Sequence, residues 1–145
     1  MTTIAYKNGI LATDSRMSCN GIIVNERCTK IHKVNDGYVA ISGSLADGLV
    51  LVSILNDQCD YTNLQDLQVD ALLIEIRGKR CTPVALEFTG NHILKLKLDK
   101  ICAAGSGGLI ALGAMYGGSS AVESIKVAAK LDVNTNSYVQ YRICK

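Results

Sequence analysis

The chain has 145 residues, 48% of them hydrophobic, and a formal net charge of +2 at neutral pH. That length fits one domain with a substantial core and not two. The small, scattered positive charge offers no stripe for nucleic acid, no apolar run approaches the roughly 18 residues a membrane span needs, and no signal peptide opens the sequence.

Residues 2–6 read as a strand, Asn8-Gly9 as a hairpin turn and 10–13 as the return strand. Asn20-Gly21 marks a second hairpin, returning through Ile22-Ile23-Val24. Residues 28–34 form another strand, closed by Asn35-Asp36-Gly37, with 38–42 running back. Short strands at such close spacing predict antiparallel sheet. Ser44, with Asp47 three residues on, suits the capped start of a helix. Leu45, Leu49, Val52 and Cys59 then recur at helical spacing, with Leu51 and Leu55 broadening the stripe. Residues 60–67 are polar and too few for a long helix. Strands follow over 69–77, 83–89 and 92–98, the last alternating Leu94, Leu96 and Leu98 with Lys95 and Lys97. A strand over 101–104 leads into Gly105-Ser106-Gly107-Gly108 and a helix over 109–116, which ends at Gly117-Gly118. Ser120 and Glu123 cap a further helix to Leu131. Residues 132–136 are a polar loop, and 137–144 form the final strand. This order predicts an α+β fold over a single domain, 1–145: a four-layer αββα sandwich, two stacked antiparallel sheets with outer helices.

Six cysteines (Cys19, Cys28, Cys59, Cys81, Cys102 and Cys144) show no CxxC or Cys/His ligand spacing. Most lie among apolar neighbours, which predicts reduced core residues of a cytoplasmic protein. The glycine-rich turn has neither a GKS/GKT continuation nor a GxGxxG with a downstream acidic partner, so it does not indicate a nucleotide site.

The start of the chain has more to say. Thr2 follows Met1, and its side chain is small enough for methionine aminopeptidase to remove the methionine. Thr2 would then begin the mature chain with an α-amine beside its own hydroxyl. An α-amine titrates near ~7.7–8.0, so nucleophile and general base can share one residue. Strand alternation puts Cys28, Lys30 and His32 on one face. An ammonium there would stabilise an alkoxide and lower the amine's pKa, and Asp14 could fix it in place. Gly43, just ahead of a helix cap, suits an oxyanion donor. Taken singly, each has an ordinary alternative: an unused Met-Thr start, an edge-strand lysine, a turn aspartate, a strand-to-helix turn.

Taken together and in order, Met1-Thr2-Thr3-Ile4, Ala12-Thr13-Asp14-Ser15-Arg16, Thr29-Lys30-Ile31, Ser42-Gly43-Ser44-Leu45-Ala46-Asp47, Ala104-Gly105-Ser106-Gly107-Gly108 and the loop from Asp132 to Asn136 resemble the N-terminal-nucleophile hydrolases of the proteasome β-subunit family, most closely its HslV branch. The resemblance implies Thr2 as nucleophile, its α-amine as base, Lys30 as the tuning lysine and Asp14 as the carboxylate beside it. It implies Gly43 as the oxyanion N–H, and Ser106, Asp132 and Thr135 as a polar cluster around the amine. It implies no required cofactor, but a monovalent cation can be held by backbone carbonyls, here those of Ala129, Asp132 and Thr135. Met17, Cys28, His32, Ile41, Leu45 and Leu49 would line the substrate pocket, a mostly apolar set suited to Leu, Phe or Tyr before the scissile bond. The chain departs from the family at 60–67, where a second long helix is missing.

The function expected from this is a threonine endopeptidase acting on unfolded polypeptide in a homo-oligomeric ring, with an AAA+ ATPase as candidate partner and neither nucleic acid nor membrane involved. The alternatives are a small-molecule amidohydrolase of the same fold and a catalytically silent ring subunit.

Overall fold

The computed structural model describes residues 2–60 and 62–144. Met1, on whose removal the threonine reading depends, lies outside them. In chain order the elements are β1 (Thr3–Lys7), β2 (Ile10–Thr13), β3 (Met17–Cys19), β4 (Ile22–Asn25), β5 (Ile31–Val34), β6 (Gly37–Gly43), α1 (Leu45–Leu55), β7 (Val69–Arg77), β8 (Arg80–Thr89), β9 (His92–Lys97), β10 (Ile101–Gly105), α2 (Gly108–Tyr116), α3 (Ala121–Leu131) and β11 (Gln140–Ile143). Both Asn-Gly hairpins form as their chemistry demands. Asn8 and Gly9 (φ 52° and 77°) and Asn20 and Gly21 (φ 51° and 78°) occupy the left-handed region that a type I′ turn requires at both central positions.

The strands make a four-stranded sheet in the order β10-β1-β2-β11, a five-stranded sheet β5-β6-β7-β8-β9 and the separate ribbon β3-β4, with antiparallel pairing throughout. Alternation along the strands sorts the core into three layers of contact. Ile4, Tyr6 and Leu11 of the first sheet meet Ile31, Ala40, Leu72 and Ile74 of the second. From the opposite face of the first sheet, the small residues Ala5 and Ala12 let α2 and α3 approach closely through Ala111, Met115, Ala121 and Ile125. Val39, Ile41, Leu73, Val84 and Leu86 cover the other face of the second sheet, packing against Leu51 of α1 and against Leu64 and Leu67. Helices, sheet, sheet and helix thus stack as an αββα sandwich. Among the described residues, a single 3-10 turn (Leu64–Asp66) stands between α1 and β7 in place of a second long helix, and no helix is long and apolar enough to cross a membrane.

Several boundaries differ from the sequence reading, each for a local reason. β5 starts at Ile31 rather than at 28, because the Lys30 and Ile31 N–H groups turn to a side chain of β11. The first helix stops at Leu55, capped by Asn56 and followed by Asp57 at φ 56°, so Cys59 is outside it. Its buried residues are Gly48 and Leu51, not the Leu45/Leu49 stripe. Gly48 suits that rotation: a Cβ there would lie 2.5 Å from Ile41 Cδ1, so any larger residue would need the end of the Ile41 side chain to swing aside for the helix to sit as close to β6. Of the cysteines, Cys28, Cys102 and Cys144 are buried as expected, whereas Cys19 and Cys59 are exposed.

Candidate active site

Thr2 lies just ahead of β1 and is 3% exposed. The Ser106 N–H donates to its carbonyl at 2.9 Å, so the glycine-rich turn grips the chain start directly. Gly105, at φ 87°, lies so close that any Cβ would collide with the Thr2 carbonyl, and a Cβ on Gly107 would collide with Thr3 Oγ1. Gly105 packs against backbone and Gly107 against the Thr3, Ala128 and Asp132 side chains, and these close approaches account for the motif without a phosphate.

Asp14 is fully buried and carries a hydrogen bond on every side. Its Oδ1 accepts from the Thr3 N–H (3.1 Å) and from Lys30 Nζ (3.0 Å), and its Oδ2 from the Arg16 N–H (3.1 Å) and the Asn136 N–H (3.3 Å). Lys30, 5% exposed, is thereby held as half of a buried ion pair. Burial pushes the Lys30 ammonium below its ordinary pKa, while the charge and hydrogen bond of Asp14 oppose that shift. Such a pair is no gift to stability, since desolvation consumes most of the Coulomb energy. Removing one member is costly, by about 3–5 kcal/mol.

Gly43 ends β6 at φ 101°, where a Cβ would stand 2.6 Å from the Gln68 carbonyl oxygen. The Ile41 N–H points to the Lys30 carbonyl (3.0 Å), and strand alternation sends the Gly43 N–H the same way, off the end of β5. Thr2, Lys30 and Gly43 all line one cavity of about 440 Å³, with Met17, Cys28, Ile41, Leu45 and Ala46 supplying apolar wall. Of the pocket residues taken from sequence, Leu49 and His32 are not among those lining it. Leu49 is 47% exposed on the outer side of α1, a consequence of the helix rotation above. His32 has a buried Nε2 without a hydrogen-bond partner, and burial lowers its pKa. Arg16, which the sequence reading did not place in the wall, joins the lining, its guanidinium held by Glu26 at 2.8 Å.

The second polar group lies beyond Thr3. Asp132 Oδ2 accepts from Ser106 Oγ (2.6 Å) and from Thr135 Oγ1 (2.7 Å), and Thr135 Oγ1 is 2.6 Å from Thr3 Oγ1. Its links to residues 2 and 3 are therefore the Ser106 N–H on the Thr2 carbonyl and the Thr135–Thr3 hydroxyl pair. Partial burial would raise the Asp132 carboxyl, but hydrogen bonds from Ser106, Thr135 and Asn134 outweigh it and hold the carboxyl below its usual value of 3.8. A depressed folded pKa stabilises fully above the ordinary value and is lost as pH falls through the folded one. The Asn134 amide, which donates to Asp132 Oδ1 at 3.1 Å, should therefore keep its exchange protection from neutral pH down to about 4 and lose it only below. Loss of protection at pH 5–6 would mean that these hydrogen bonds do not govern the carboxyl.

Ala129, Asp132 and Thr135 share a shallow opening with Lys126 and Lys130. The Asp132 carbonyl already accepts the Thr135 N–H at 3.1 Å, leaving it one lone pair. Neutral carbonyls beside two lysines suit at most a weakly held monovalent ion. Among the described residues no cluster of His, Cys, Asp and Glu could hold a metal.

Residues 2–72 match the family model described as proteasome subunit. Over the whole chain, the crystal structure of eukaryotic HslV from Trypanosoma brucei superposes with a TM-score of 0.69 at 18% identity, covering 98% of both chains. The chain has the proteasome β-subunit fold. Thiobacillus denitrificans BPH, solved in complex with epoxomicin, is similar at a TM-score of 0.67 and 24% identity, over 97% of this chain and 96% of that one. No curated protein sequence matches significantly. The part matched by the family model contains Thr2, Asp14, Lys30 and Gly43. The Ser106–Asp132–Thr135 cluster falls outside it.

The structure also brings in polar groups that sequence reasoning missed. Thr3 supplies both an N–H to Asp14 and a hydroxyl to Thr135. Asn136 donates its N–H to Asp14 and its Nδ2 to the Glu26 carbonyl, and its Oδ1 accepts the Ser15 N–H. Gln140 of β11 reaches the Lys30 segment. Thr3 carried a signal in its place beside the proposed nucleophile, and Asn136 in its place at the end of the Asp132 loop. The bonds of Asn136 and Gln140 span more than 100 residues of chain, which no local pattern records.

Proposed function

We propose that the protein is an N-terminal threonine peptidase. Met1 is removed, the Thr2 amine takes the proton of its own hydroxyl, and Oγ1 attacks a peptide carbonyl. The Gly43 N–H stabilises the resulting oxyanion, and the amine returns the proton to the departing amino group. Water, deprotonated by the same amine, then hydrolyses the Thr2 ester. Lys30 keeps positive charge beside the nucleophile, and Asp14 keeps Lys30 in place. The observation that carries this reading is a buried Lys30–Asp14 pair whose lysine lines the same cavity as Thr2 and Gly43. A buried ion pair confers little stability, so its presence at a cavity wall fits a site rather than a scaffold.

The cavity also supports the expected specificity. Its lining includes no aspartate or glutamate among the described residues, while Arg16 and Lys30 are cationic. A lysine or arginine side chain would find no partner, a carboxylate would meet an Arg16 and a Lys30 already paired with Glu26 and Asp14, and an apolar side chain gains roughly 1.5–3 kcal/mol on burial. Fluorogenic peptides that differ only in the residue before the scissile bond should be cut after Leu, Phe or Tyr in preference to Arg or Glu. Preferred cleavage after a charged residue would place substrate elsewhere.

The wider assembly belongs to the same proposal: a cytoplasmic homo-oligomeric ring that encloses unfolded polypeptide, with an AAA+ ATPase as the candidate feeder. The reaction needs no cofactor, and a monovalent cation at the 129–135 carbonyls would serve only to fix the loop. The direct test is intact-mass analysis after treatment with an electrophilic β-lactone. The expected result is a chain lacking Met1 that carries one adduct mapped to Thr2. A chain that lacks Met1 but takes up no probe would favour a silent ring subunit.

A further inference from the structure

The inference rests on the peptidase reading above. Gln140 sits at the start of β11, far in sequence from every residue of the proposed mechanism, yet its side-chain amide is fully committed to it. Its Oε1 accepts two backbone N–H groups, those of Lys30 (2.9 Å) and Ile31 (3.2 Å). Its Nε2 donates to the Cys28 carbonyl (2.9 Å), to Ser15 Oγ (2.9 Å) and, more weakly, to the Asp14 carbonyl (3.3 Å). One amide thus holds the backbone of both members of the ion pair, the Lys30 segment from one side and the Asp14 segment from the other.

The need for such a device follows from the strand layout. β5 is the edge of its sheet, and its regular pairing with β6 begins only at Ile31↔Ala40. Lys30 keeps one ladder bond, from the Ile41 N–H to its carbonyl, but its own N–H leaves the ladder for Gln140. The lysine therefore stands where the second sheet has stopped fixing the chain. Asp14 similarly follows the end of β2, whose last residue Thr13 pairs with Gln140 itself. Two strand ends from two different sheets must hold an ammonium and a carboxylate 3.0 Å apart. A side chain that bonds both ends with its whole hydrogen-bonding capacity sets that registration.

We infer that Gln140 is a positioning residue for catalysis, fixing where Lys30 stands relative to Asp14 and Thr2 by tying the Lys30 backbone to β11. It touches neither substrate nor nucleophile. Methionine has nearly the shape of glutamine and none of its hydrogen bonds, so Gln140→Met removes the tie while filling the space.

The test uses the full-length, Met1-processed protein and a β-lactone probe of Thr2. Rates are taken per folded molecule, at a temperature where circular dichroism shows both proteins folded. Gln140→Met should be acylated about 10- to 100-fold more slowly, the scale that an ångström of misplacement costs. The rising limb of its pH–rate profile should also move to higher pH. Among the described residues, the charged and titratable groups acting on Lys30 include the Asp14 carboxylate, the Arg16 guanidinium and Cys28. Gln140→Met alters none of these residues, so a moved limb reports a displaced lysine that no longer lowers the Thr2 amine.

A merely structural Gln140 would lower the melting temperature but leave the rate per folded molecule and the limb unchanged, and that result overturns the inference. A wild-type protein that takes up no probe overturns the peptidase reading instead, so the two failures are distinct. Should Gln140→Met not fold, amide hydrogen exchange in the wild type decides the matter. Lys30 and Ile31 must exchange as slowly as core strand amides, and loop-like exchange at both overturns the inference.

Discussion

Thr2→Ala is expected to abolish hydrolysis of a short fluorogenic amide while leaving the fold unchanged. The loss should be large, on the order of 10⁴-fold or more, because removing one member of a nucleophile unit costs nearly as much as removing them all. The fold should survive for a specific reason. What the glycine-rich turn grips at residue 2 is the carbonyl, through the Ser106 N–H, and alanine keeps that carbonyl. The substitution removes a hydroxyl and a methyl from a residue 3% exposed, a cost of about 1–2 kcal/mol at most. Thr2→Ser should retain measurable turnover, since it keeps both hydroxyl and amine. The check pairs initial rates with thermal melts, and intact mass must confirm that alanine, like threonine, leaves Met1 removed. Alanine activity within tenfold of threonine would refute the N-terminal nucleophile and direct attention to another group in the same cavity.

How much of this could be read from the chain depended on the range of each interaction. Turn chemistry is local: Asn8-Gly9 and Asn20-Gly21 specify their own left-handed dihedrals, so both hairpins were legible. Helix starts are local too, and Ser44 and Ser120 accept from the Asp47 and Glu123 N–H groups as the capping pattern implies. Layer order followed from element order. The rotation of α1 was not legible, because the helix buries Gly48 and Leu51 against β6 rather than the leucine stripe, and so Leu49 does not line the pocket that periodicity assigns it to. The limit of β5 was equally hidden, since alternation alone continues a strand wherever nothing forbids it. Lys30 and Asp14 stood out because they are chemically distinctive and carry a family resemblance. Gln140 and Asn136 are ordinary polar residues in a late strand and loop, and their importance lies wholly in what the fold brings beside them. A sequence shows which groups could do chemistry more readily than it shows which groups hold them.

Lys30→Met is expected to lose activity to nearly the extent of Thr2→Ala, and here stability must be separated from catalysis. The substitution leaves the Asp14 carboxylate buried without its cation, at a cost of about 3–5 kcal/mol, a large share of a small domain's margin. The loss is cushioned, because the N–H groups of Thr3, Arg16 and Asn136 still donate to that carboxylate. Asp14→Asn is not a remedy. Both carboxylate oxygens receive N–H donors, so either orientation of an amide would turn its NH₂ group against a donor. Lys30→Arg should also fail to rescue, since a planar guanidinium cannot take the place of a compact ammonium in a pocket only 5% exposed. Two measurements resolve the question. Urea melts give the stability lost, and acylation of Thr2 by the β-lactone, taken per folded molecule, gives the effect on the nucleophile. A drop in stability together with a drop in acylation approaching 10⁴-fold is the expected result, the upper end of the general contribution of acid–base assistance. A destabilised protein that is still acylated at the normal rate would mean that the buried pair is there for the fold alone, and that the Thr2 amine reaches its working pKa without the lysine.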